Sequence, residues 1–418
     1  SKEKRYTDTR VDEQDRELSI KSTPVSLMLE DFNSKTNLIN ILDCPGHVNF
    51  NDEVTASLRA VDGVVIVIDA VEGVMLGTEK AIQQAIAEDV DITVMISKMD
   101  RLIVELKLPP EAAYFKLLQL LGDVNRIIVD TAMGEVTVNH GADSENLNKK
   151  KYKRISPELG NVCFSSGQHG WSFTLTTFAH MYCKQYNNTN TNKKNGIDIA
   201  SIQSNSTSNS NSTSSGTVNE INGLEPNTIH IEQFVKRLWG DWHHDNDRDC
   251  FTKSKSTKTT RTFIKFVLEP LYKIYSHVLG ENPDDIGKLT KKLNIRLASS
   301  ELHLDTKPLL RIIFSRYFGF PHGFVDMCMK HVRNPIDGNK KKVSKYYRGN
   351  QANTTSTNTD NNSNNSNDTD SIASYMNNCD SDPNTPLMIH TMKMFSSPDG
   401  EKFYTLGRIY NWRVVCAR

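Results

Sequence analysis

The 418-residue sequence lacks any apolar run of the roughly 18 to 20 residues that a membrane-spanning helix needs. Its first ten residues, SKEKRYTDTR, lack the apolar core of a secretory signal peptide. A surplus of either charge is also lacking, because 50 Lys and Arg residues balance 50 Asp and Glu residues. A balanced chain gives no electrostatic reason to expect bare nucleic acid or an anionic membrane as its main partner. We therefore expect a soluble, intracellular protein that does not bind membranes.

Paired cysteines are lacking as well. The seven cysteines stand singly, several of them within apolar runs, and no Cys-x-x-Cys pair occurs. This usage is typical of a reducing compartment and gives no sign of a disulfide framework. Hydrophobic residues make up 37% of the chain, which is enough to build the cores of two or three ordinary domains.

Short runs rich in Val, Ile and Leu occur at residues 37–43, 63–69 and 91–97, each bounded by turn or charged residues. Continuous rather than alternating apolar character predicts strands that are covered on both faces. A helical pattern that Thr78 can cap follows the second run, and another at residues 110–128 follows the third. Strands that alternate with helices predict an α/β domain with a mainly parallel sheet.

Two stretches rich in Asn, Ser and Thr interrupt this pattern, at residues 187–227 and 349–385. Such stretches bury too little apolar surface to offset the entropy of ordering, so we expect disordered insertions. Between them, residues 228–348 are predicted to be mostly helical. Residues 386–418 contain two alternating runs around a Pro-Asp-Gly turn, which predicts a β-hairpin. Because a lone hairpin is marginally stable, we expect this segment to be the start of a truncated β-barrel domain.

The first apolar run ends in the cluster Asp-Cys-Pro-Gly-His at residues 43–47. Ligands of open parallel sheets bind at the carboxyl ends of the strands. There Asp43 can hold a hydrated Mg²⁺, Gly46 offers an unobstructed backbone N–H, and His47 projects from the segment that follows. These residue types suit a phosphate site, and the alternative is a simple turn with a surface histidine.

The third apolar run leads into Ser97-Lys98-Met99-Asp100, close to the Asn-Lys-x-Asp motif with which GTPases read guanine. A carboxylate can accept hydrogen bonds from the N1–H and N2–H₂ groups of guanine, a donor pair that adenine lacks. Asp100 is therefore the predicted specificity residue, and Lys98 is predicted to lie along the base. Ser97 lacks the amide of the usual Asn, so we expect weaker nucleotide binding or looser selectivity.

A further candidate is Ser165-Ser166-Gly167, whose backbone could contact the carbonyl oxygen of guanine. The separation between Asp43 and Asp100 leaves room for a helix and a complete strand, as the order of GTPase motifs requires. We therefore expect Asp43 and Asp100 to end neighbouring strands on one rim of the sheet, where they would hold opposite ends of one nucleotide.

Longer segments carry a resemblance to a known family: RYTDTR, SIKSTPVSL, DCPGHVNFNDEVTASLRAVDGVVIVIDAVEGVMLGTE, SKMDRLIVELKLPP and GNVCFSSGQHGWSFTL. They closely resemble translational GTPases of the elongation factor G and eukaryotic translocase type. Within that group the chain looks nearest to the GTPase component of the spliceosomal U5 small nuclear ribonucleoprotein. The resemblance covers all but the two insertions and the extreme C-terminus. It implies a P-loop GTPase-type sheet in residues 1–186, continued by the helical residues 228–348.

The resemblance also implies GTP and Mg²⁺ as cofactors and gives individual residues their roles. Asp43 matches the residue that contacts Mg²⁺ through water, and Gly46 matches the γ-phosphate contact. His47 matches the catalytic residue that orients the attacking water. Ser19 lies where the family has a Thr that ligates Mg²⁺, and a serine there fits a slow switch rather than a rapid hydrolase. The Ser97–Asp100 and Ser165–Gly167 motifs would read and cover the base.

No G-x-x-x-x-G-K-[ST] phosphate loop occurs in the sequence. In the family this loop lies upstream of the segment that matches RYTDTR, so we expect the chain to be a fragment. Without the amides and the Lys of that loop, the remaining motifs contact only part of the nucleotide. We therefore expect these 418 residues alone to bind GTP weakly or not at all and to be inactive.

The resemblance implies a nuclear, GTP-hydrolysing switch in pre-mRNA splicing that regulates RNA unwinding by a partner helicase. It implies a monomer within a larger complex, together with that helicase, a large scaffold protein and small nuclear RNA. Two alternatives stay open. One is a cytoplasmic GTPase of ribosomal translocation or ribosome maturation. The other is a scaffold with a vestigial nucleotide site, which the serines at positions 19 and 97 favour.

Overall fold

A computed structural model describes residues 5–139, 153–190, 231–248, 250–280, 283–293, 295–348, 366–382, 384–397 and 400–411. Nearly all of the first predicted insertion lies outside these ranges, so its disorder stays a prediction. Among the described helices, none combines the length and the apolar character that crossing a membrane would require.

The first two strands, β1 (Thr23–Glu30) and β2 (Thr36–Asp43), form an antiparallel hairpin. Four further strands form the central sheet: β3 (Gly63–Asp69), β4 (Asp91–Ser97), β5 (Val162–Ser166) and β6 (Trp171–Phe173), in that spatial order. β3, β4 and β5 run parallel, and β6 runs antiparallel to β5. The predicted mainly parallel α/β fold is confirmed, and β3 and β4 have the bounds that the sequence predicts.

The strand that ends at Asp43 does not belong to the central sheet. Among the described residues, β2 is hydrogen-bonded only to β1. The prediction that Asp43 and Asp100 end neighbouring strands is therefore wrong. The physical reason is that an apolar run indicates burial but does not identify the partner strand. Here β2 alternates between exposed and partly buried residues, with Leu38 64% exposed, and Val67 on β3 is 58% exposed.

The helices surround the sheet and continue beyond it. They are α1 (Val11–Arg16), α2 (Asn51–Ala60), α3 (Leu76–Ala87), α4 (Met99–Val104), α5 (Pro110–Asn139), α6 (Leu175–Asn190), α7 (Ile231–Arg237), α8 (Glu269–Gly280), α9 (Pro283–Lys292), α10 (Thr306–Phe318), α11 (His322–His331), α12 (Pro335–Tyr346) and α13 (Ser366–Asn378). The predicted helical character of the region after the first insertion is present in α7 to α12. A small sheet, which the sequence did not predict, interrupts it at β7 (His243–Asp245), β8 (Cys250–Thr252) and β9 (Thr259–Arg261).

The main hydrophobic core lies between the central sheet and the helices that pack on it. Ile68, Ile96 and Phe164, one on each parallel strand, are almost fully buried. Tyr114 on α5 and Phe314 on α10 belong to the same cluster. Full burial of such a side chain contributes roughly 1.5–3 kcal/mol. This packing holds the strand ends, and with them the loops that follow the strands, in fixed positions.

The C-terminal part contains the predicted hairpin, formed by β10 (Met388–Ser396) and β11 (Phe403–Asn411). Helix α13, however, lies within the second predicted insertion, so the expectation of disorder does not hold for that part. Its Met376 is buried against Val343 and Tyr410, and Ile372 one turn earlier packs on the same cluster. Two apolar residues four apart are enough to dock one helix face, although the stretch is mostly polar.

Candidate functional site

Two of the predicted motifs lie at one edge of the central sheet. Asp69 at the end of β3 is paired with Ser97 at the end of β4, and β4 in turn pairs in parallel with β5, which ends at Ser166. Carboxyl ends of parallel strands share an edge, which is where open α/β sheets bind ligands. The Ser97–Asp100 and Ser165–Gly167 motifs are therefore brought together by strand pairing.

Ser97 and Lys98 both connect β4 to β3. The Ser97 hydroxyl donates a hydrogen bond to the carbonyl oxygen of Ile68 at 3.2 Å. The hydroxyl thus joins the two strand ends. Lys98 adopts a left-handed backbone conformation (φ 56°), and its ammonium lies 2.9 Å from Oδ2 of Asp69. Burial raises the pKa of Asp69, but the hydrogen bonds from Lys98 and from the backbone N–H of Val71 outweigh it and lower that pKa.

Asp100 stands at the start of α4 and is only 5% exposed. Its Oδ1 atom is shielded from solvent and accepts no hydrogen bond from any residue that the structure describes. A buried, unpaired carboxylate oxygen costs free energy, because the group loses water without gaining a donor. A ligand with two adjacent N–H donors would satisfy such an oxygen, and the Watson–Crick edge of guanine has that pattern.

Ser165 and Ser166 end β5, and the turn that begins at Gly167 is held by two hydrogen bonds. Ser166 is fully buried, and its hydroxyl oxygen accepts a hydrogen bond from the backbone N–H of His169 at 3.2 Å. Arg311 on α10 donates from Nε to the carbonyl oxygen of Gln168 at 2.9 Å. A Cβ atom at Gly167 would meet nothing within 4 Å, so the backbone there faces open space. The loop can therefore offer backbone groups to a base.

The Asp43–His47 turn lies beside the start of α3. Its position does not come from strand pairing, because β2 does not pair with the central sheet in the described ranges. The carbonyl oxygen of Gly46 lies 3.9 Å from the position that a Cβ of Gly77 would occupy, at the start of α3. Asp43, Gly46 and His47 are all exposed. Nδ1 of His47 accepts a hydrogen bond from the backbone N–H of Asn49 at 3.2 Å. This bond occupies Nδ1, so Nε2 is the ring nitrogen that it leaves unused.

The segment that contains Ser19 is fixed by two buried carboxylates. The Ser19 hydroxyl donates to Oδ1 of Asp8 at 2.7 Å. Oε1 of Glu13, which is 1% exposed, accepts from the backbone N–H groups of Ile20 and Lys21 at 2.9 Å each. In this arrangement the Ser19 hydroxyl is bound to a protein carboxylate instead of being presented to a metal ion.

Glu53 on α2 connects three parts of the chain, and the sequence analysis missed it. It is 1% exposed and accepts hydrogen bonds from Nζ of Lys21 at 2.9 Å and from the backbone N–H of Ser22 at 3.3 Å. Lys393 on β10 donates to the same carboxylate and lies 2.8 Å from Oδ2 of Asp52. Burial raises the pKa of Glu53, but the two lysines outweigh it and lower that pKa. A Glu in an amphipathic helix gives no sequence signal for such burial.

The donor set fits Mg²⁺ only in part. In the ranges that the structure describes, no three His, Cys, Asp or Glu side chains form a group that could hold a metal ion. Asp43 offers an exposed carboxylate, whereas Ser19 would have to give up its bond to Asp8. Proteins often bind Mg²⁺ through one or two carboxylates plus substrate phosphates, so Asp43 fits as one contact to a nucleotide-bound ion.

Comparisons with known proteins identify the family of the chain. Residues 1–234 match the family described as the elongation factor Tu GTP binding domain. The chain is 38% identical over 416 residues to the 110 kDa U5 small nuclear ribonucleoprotein component CLO of Arabidopsis thaliana, covering 99% of this chain and 35% of that protein. It is 38% identical over 414 residues to the 109 kDa U5 small nuclear ribonucleoprotein component GFL of the same plant, with the same coverage.

A fungal relative gives a similar result. The pre-mRNA-splicing factor cwf10 of Schizosaccharomyces pombe is 34% identical over 411 residues, covering 98% of this chain and 34% of that protein. The chain therefore spans about a third of the length of the curated relatives it matches. The family match covers more than half of the chain and coincides with the mainly parallel sheet and both motifs at its edge. The chain belongs to the family of translational GTPases that share the elongation factor Tu GTP-binding domain.

Proposed function

We propose that this protein binds GTP and Mg²⁺ and acts as a GTP-hydrolysing switch of a spliceosomal ribonucleoprotein in the nucleus. The observation that carries the nucleotide part is the buried Asp100 carboxylate, whose Oδ1 atom has no hydrogen-bond donor in the described part of the chain. The spliceosomal part is supported by relatives that are named as U5 ribonucleoprotein components and match 99% of this chain.

At the base, Asp100 accepts from guanine N1–H and N2–H₂, and the Lys98 stem lies along the ring. Ser97 holds the two strand ends in register, and the backbone of Ser165–Gly167 covers the carbonyl side of the base. The contacts of Lys98 with Asp69 and of Ser97 with Ile68 support these roles. They fix the ends of β3 and β4 and do not use the Asp100 carboxylate. The selectivity for guanine thus rests on the donor pattern that Asp100 can satisfy.

At the phosphates, the Gly46 backbone N–H contacts the γ-phosphate and Asp43 contacts the Mg²⁺ that the nucleotide brings. His47 orients the attacking water through Nε2, because Nδ1 is used by the backbone N–H of Asn49. Catalysis of this kind depends on positioning and charge, with no covalent intermediate on the protein. The Ser19 hydroxyl would turn from Asp8 to the metal ion only in the GTP state, which fits a slow switch.

The proposed readout of this switch is RNA unwinding by a partner helicase. The protein would act as a monomer within a complex that also contains a large scaffold protein and small nuclear RNA. We propose that residues 1–186 and 228–348 form one GTPase unit, with residues 386–418 at the start of a second domain. The link from Lys393 in the hairpin to Glu53 in α2 supports contact between the two.

A second candidate is a scaffold whose nucleotide site is vestigial. The specific observation in its favour is the bond between Ser19 and Asp8, which occupies the hydroxyl expected to ligate Mg²⁺. The rate of single-turnover GTP hydrolysis by His47→Ala, compared with that of the wild type, separates the two candidates.

The spliceosomal assignment is tested by affinity purification of the full-length protein, followed by sequencing of the bound RNA. We expect enrichment of spliceosomal small nuclear RNAs and depletion of ribosomal RNA relative to a tag-only control. Enrichment of ribosomal subunits would contradict the assignment and favour the translocation or ribosome-maturation alternative.

The isolated 418-residue chain is expected to bind GTP weakly or not at all, because it lacks a phosphate-loop motif and its β2 and β3 share no strand partner in the described ranges. Isothermal titration calorimetry with GTP and Mg²⁺ measures this directly. Binding with a dissociation constant in the range of about 1 μM, or roughly −8 kcal/mol, would contradict the expectation.

A further inference from the structure

The Ser19 segment (residues 19–22) is held by three buried carboxylates. Asp8 accepts from the hydroxyl of its first residue, and Glu13 accepts from the backbone N–H groups of the next two residues. Glu53 accepts from the ammonium of Lys21 and from the last backbone N–H of the segment. The three carboxylate residues are between 1% and 4% exposed. The position of the segment therefore depends on hydrogen bonds that are shielded from water.

The same Glu53 carboxylate also holds the β10–β11 hairpin. Lys393 on β10 donates to Oε1 of Glu53, the oxygen atom that also accepts from Lys21. The side chain of Lys393 is only 17% exposed, and its ammonium lies 2.8 Å from Oδ2 of Asp52. The ammonium of Lys21 in turn lies 6.0 Å from the ring centroid of Phe395 on β10. One buried carboxylate thus serves both the Ser19 segment and the hairpin.

The hairpin also holds the other end of α2, the helix that carries Glu53 and follows the His47 turn. Nη1 of Arg408 on β11 donates to the carbonyl oxygen of Ala60 at 2.7 Å. Nη2 of the same arginine lies 2.8 Å from Oδ1 of Asp62. Because α2 is held by the hairpin at both ends, we expect the two to move as one unit, relative to which the Ser19 segment can move.

The two lysines differ in what happens to Glu53 when the Ser19 segment moves. A buried carboxylate that loses its only counter-charge is strongly destabilised. Lys393 belongs to the hairpin and stays with Glu53, so Lys21 can leave without stranding the carboxylate. If Lys393 were absent, the same movement would leave an uncompensated negative charge in a buried position.

We propose that Lys393 is a positioning residue for the GTP state: by neutralising Glu53 from the hairpin, it allows the Ser19 segment to move towards the metal ion. The inference rests on the proposed function, in which the Ser19 hydroxyl turns from Asp8 to Mg²⁺ when GTP is bound. It adds that this state depends on a charge supplied by the hairpin. Coupling between two sites is reciprocal, so GTP binding also tightens the hold of Glu53 on the hairpin.

The test is calorimetry of the full-length protein with Mg²⁺ and either GDP or a non-hydrolysable GTP analogue. Lys393→Met keeps most of the aliphatic stem and removes the ammonium. We expect it to bind the GTP analogue about tenfold more weakly than the wild type, a typical coupling between sites. Its affinity for GDP should be unchanged, because GDP does not require the Ser19 segment to move.

Two further variants control for charge and for position. Lys393→Arg keeps the positive charge and should bind both nucleotides as the wild type does. Lys402→Met removes an exposed lysine immediately before β11 of the same hairpin. It should also bind both nucleotides as the wild type does.

A second measurement needs no nucleotide. Hydrogen exchange of the full-length protein, followed by mass spectrometry, reports how well the backbone N–H groups of the Ser19 segment are protected. In Lys393→Met, Glu53 has Lys21 as its remaining lysine partner and holds it more firmly, so we expect slower exchange of the segment. Glu53→Gln removes the charge that holds Lys21 and should give faster exchange, whereas Lys402→Met should exchange like the wild type.

The outcomes separate the inference from the proposed function. If Lys393→Met binds both nucleotides as the wild type does, or loses both equally, the inference is overturned and the nucleotide site stands. Failure of Lys393→Arg to restore binding of the GTP analogue would overturn it as well. If the wild type binds no guanine nucleotide, the proposed function is overturned and the inference with it. Unchanged or faster exchange of the Ser19 segment in Lys393→Met would overturn the inference, whatever the protein binds.

Discussion

Asp100→Asn is expected to weaken GTP binding by the full-length protein strongly and to create affinity for xanthosine triphosphate. Guanine presents N1–H and N2–H₂, both donors, to the carboxylate. The asparagine amide has one oxygen acceptor and one NH₂ donor, so its donor would face the N2–H₂ group of guanine. Xanthine keeps N1–H but carries a carbonyl oxygen at C2, which accepts from the amide. The same substitution should therefore weaken the binding of guanine and strengthen the binding of xanthine.

The expected loss of GTP affinity is roughly a hundredfold or more, because a good bidentate pair contributes about 1–3 kcal/mol and the mismatched donors add to the loss. The variant should still fold. Its Oδ1 atom has no hydrogen-bond donor among the described residues, so removing the charge relieves a buried, unpaired carboxylate. A melting temperature equal to or above that of the wild type would agree with this reasoning.

Calorimetry with GTP and xanthosine triphosphate on both proteins gives the four affinities. Asp130→Asn, an exposed position on α5, serves as the control for the loss of one negative charge. If Asp100→Asn binds GTP as well as the wild type does, Asp100 does not read the base. If it loses both nucleotides and also melts earlier, the carboxylate has a structural role instead.

The positions of the Ser97–Asp100 and Ser165–Gly167 motifs could be predicted from the sequence, because turn or charged residues mark the ends of the strands that precede them. Turn or charged residues stand at both ends of β3 and β4, so the bounds of these strands followed from the apolar runs alone. Once parallel strands are recognised, the position of the residues after Ser97 at the carboxyl edge follows from topology. Ser165–Gly167 reaches the same edge for the same reason.

The position of Asp43 could not be predicted in this way. The partner of a strand is decided by tertiary packing, and β2 pairs only with β1 in the described part of the chain. The exposure alternates along β2, but the sequence does not: Asn37 lies on the partly buried face and Leu38 on the exposed face, so the pattern of residue types gave no signal for a strand covered on one face only.

The buried charged and polar side chains that hold these segments in place could not be predicted from the sequence. Glu13 and Glu53 read as ordinary surface residues of amphipathic helices, yet each is 1% exposed and accepts backbone N–H groups of the segment around Ser19. His169 and Tyr275 are joined by a hydrogen bond between residues that are distant in sequence. Such pairs depend on how α8 packs under the loop, which no local pattern encodes.

His47→Ala is expected to slow single-turnover GTP hydrolysis by the full-length protein about a hundredfold or more, the usual contribution of a positioned proton-transfer group. GTP affinity should change little, because the ring is exposed and its hydrogen bond is the local one from the Asn49 N–H to Nδ1. Loss of that bond costs about 1 kcal/mol at a short helical turn, which a folded domain tolerates.

His47→Asn is the informative companion variant, because a short side-chain oxygen can still accept from the Asn49 N–H while nothing replaces Nε2. If both variants are slow, the function of the residue lies in Nε2 and the water it orients, and local folding is not the cause. His303→Ala, at another exposed histidine, should hydrolyse GTP at the wild-type rate. If the wild type and His47→Ala hydrolyse GTP at equal rates, the protein is better described as a scaffold with a vestigial nucleotide site. The bond from Ser19 to Asp8 would then be a permanent structural contact.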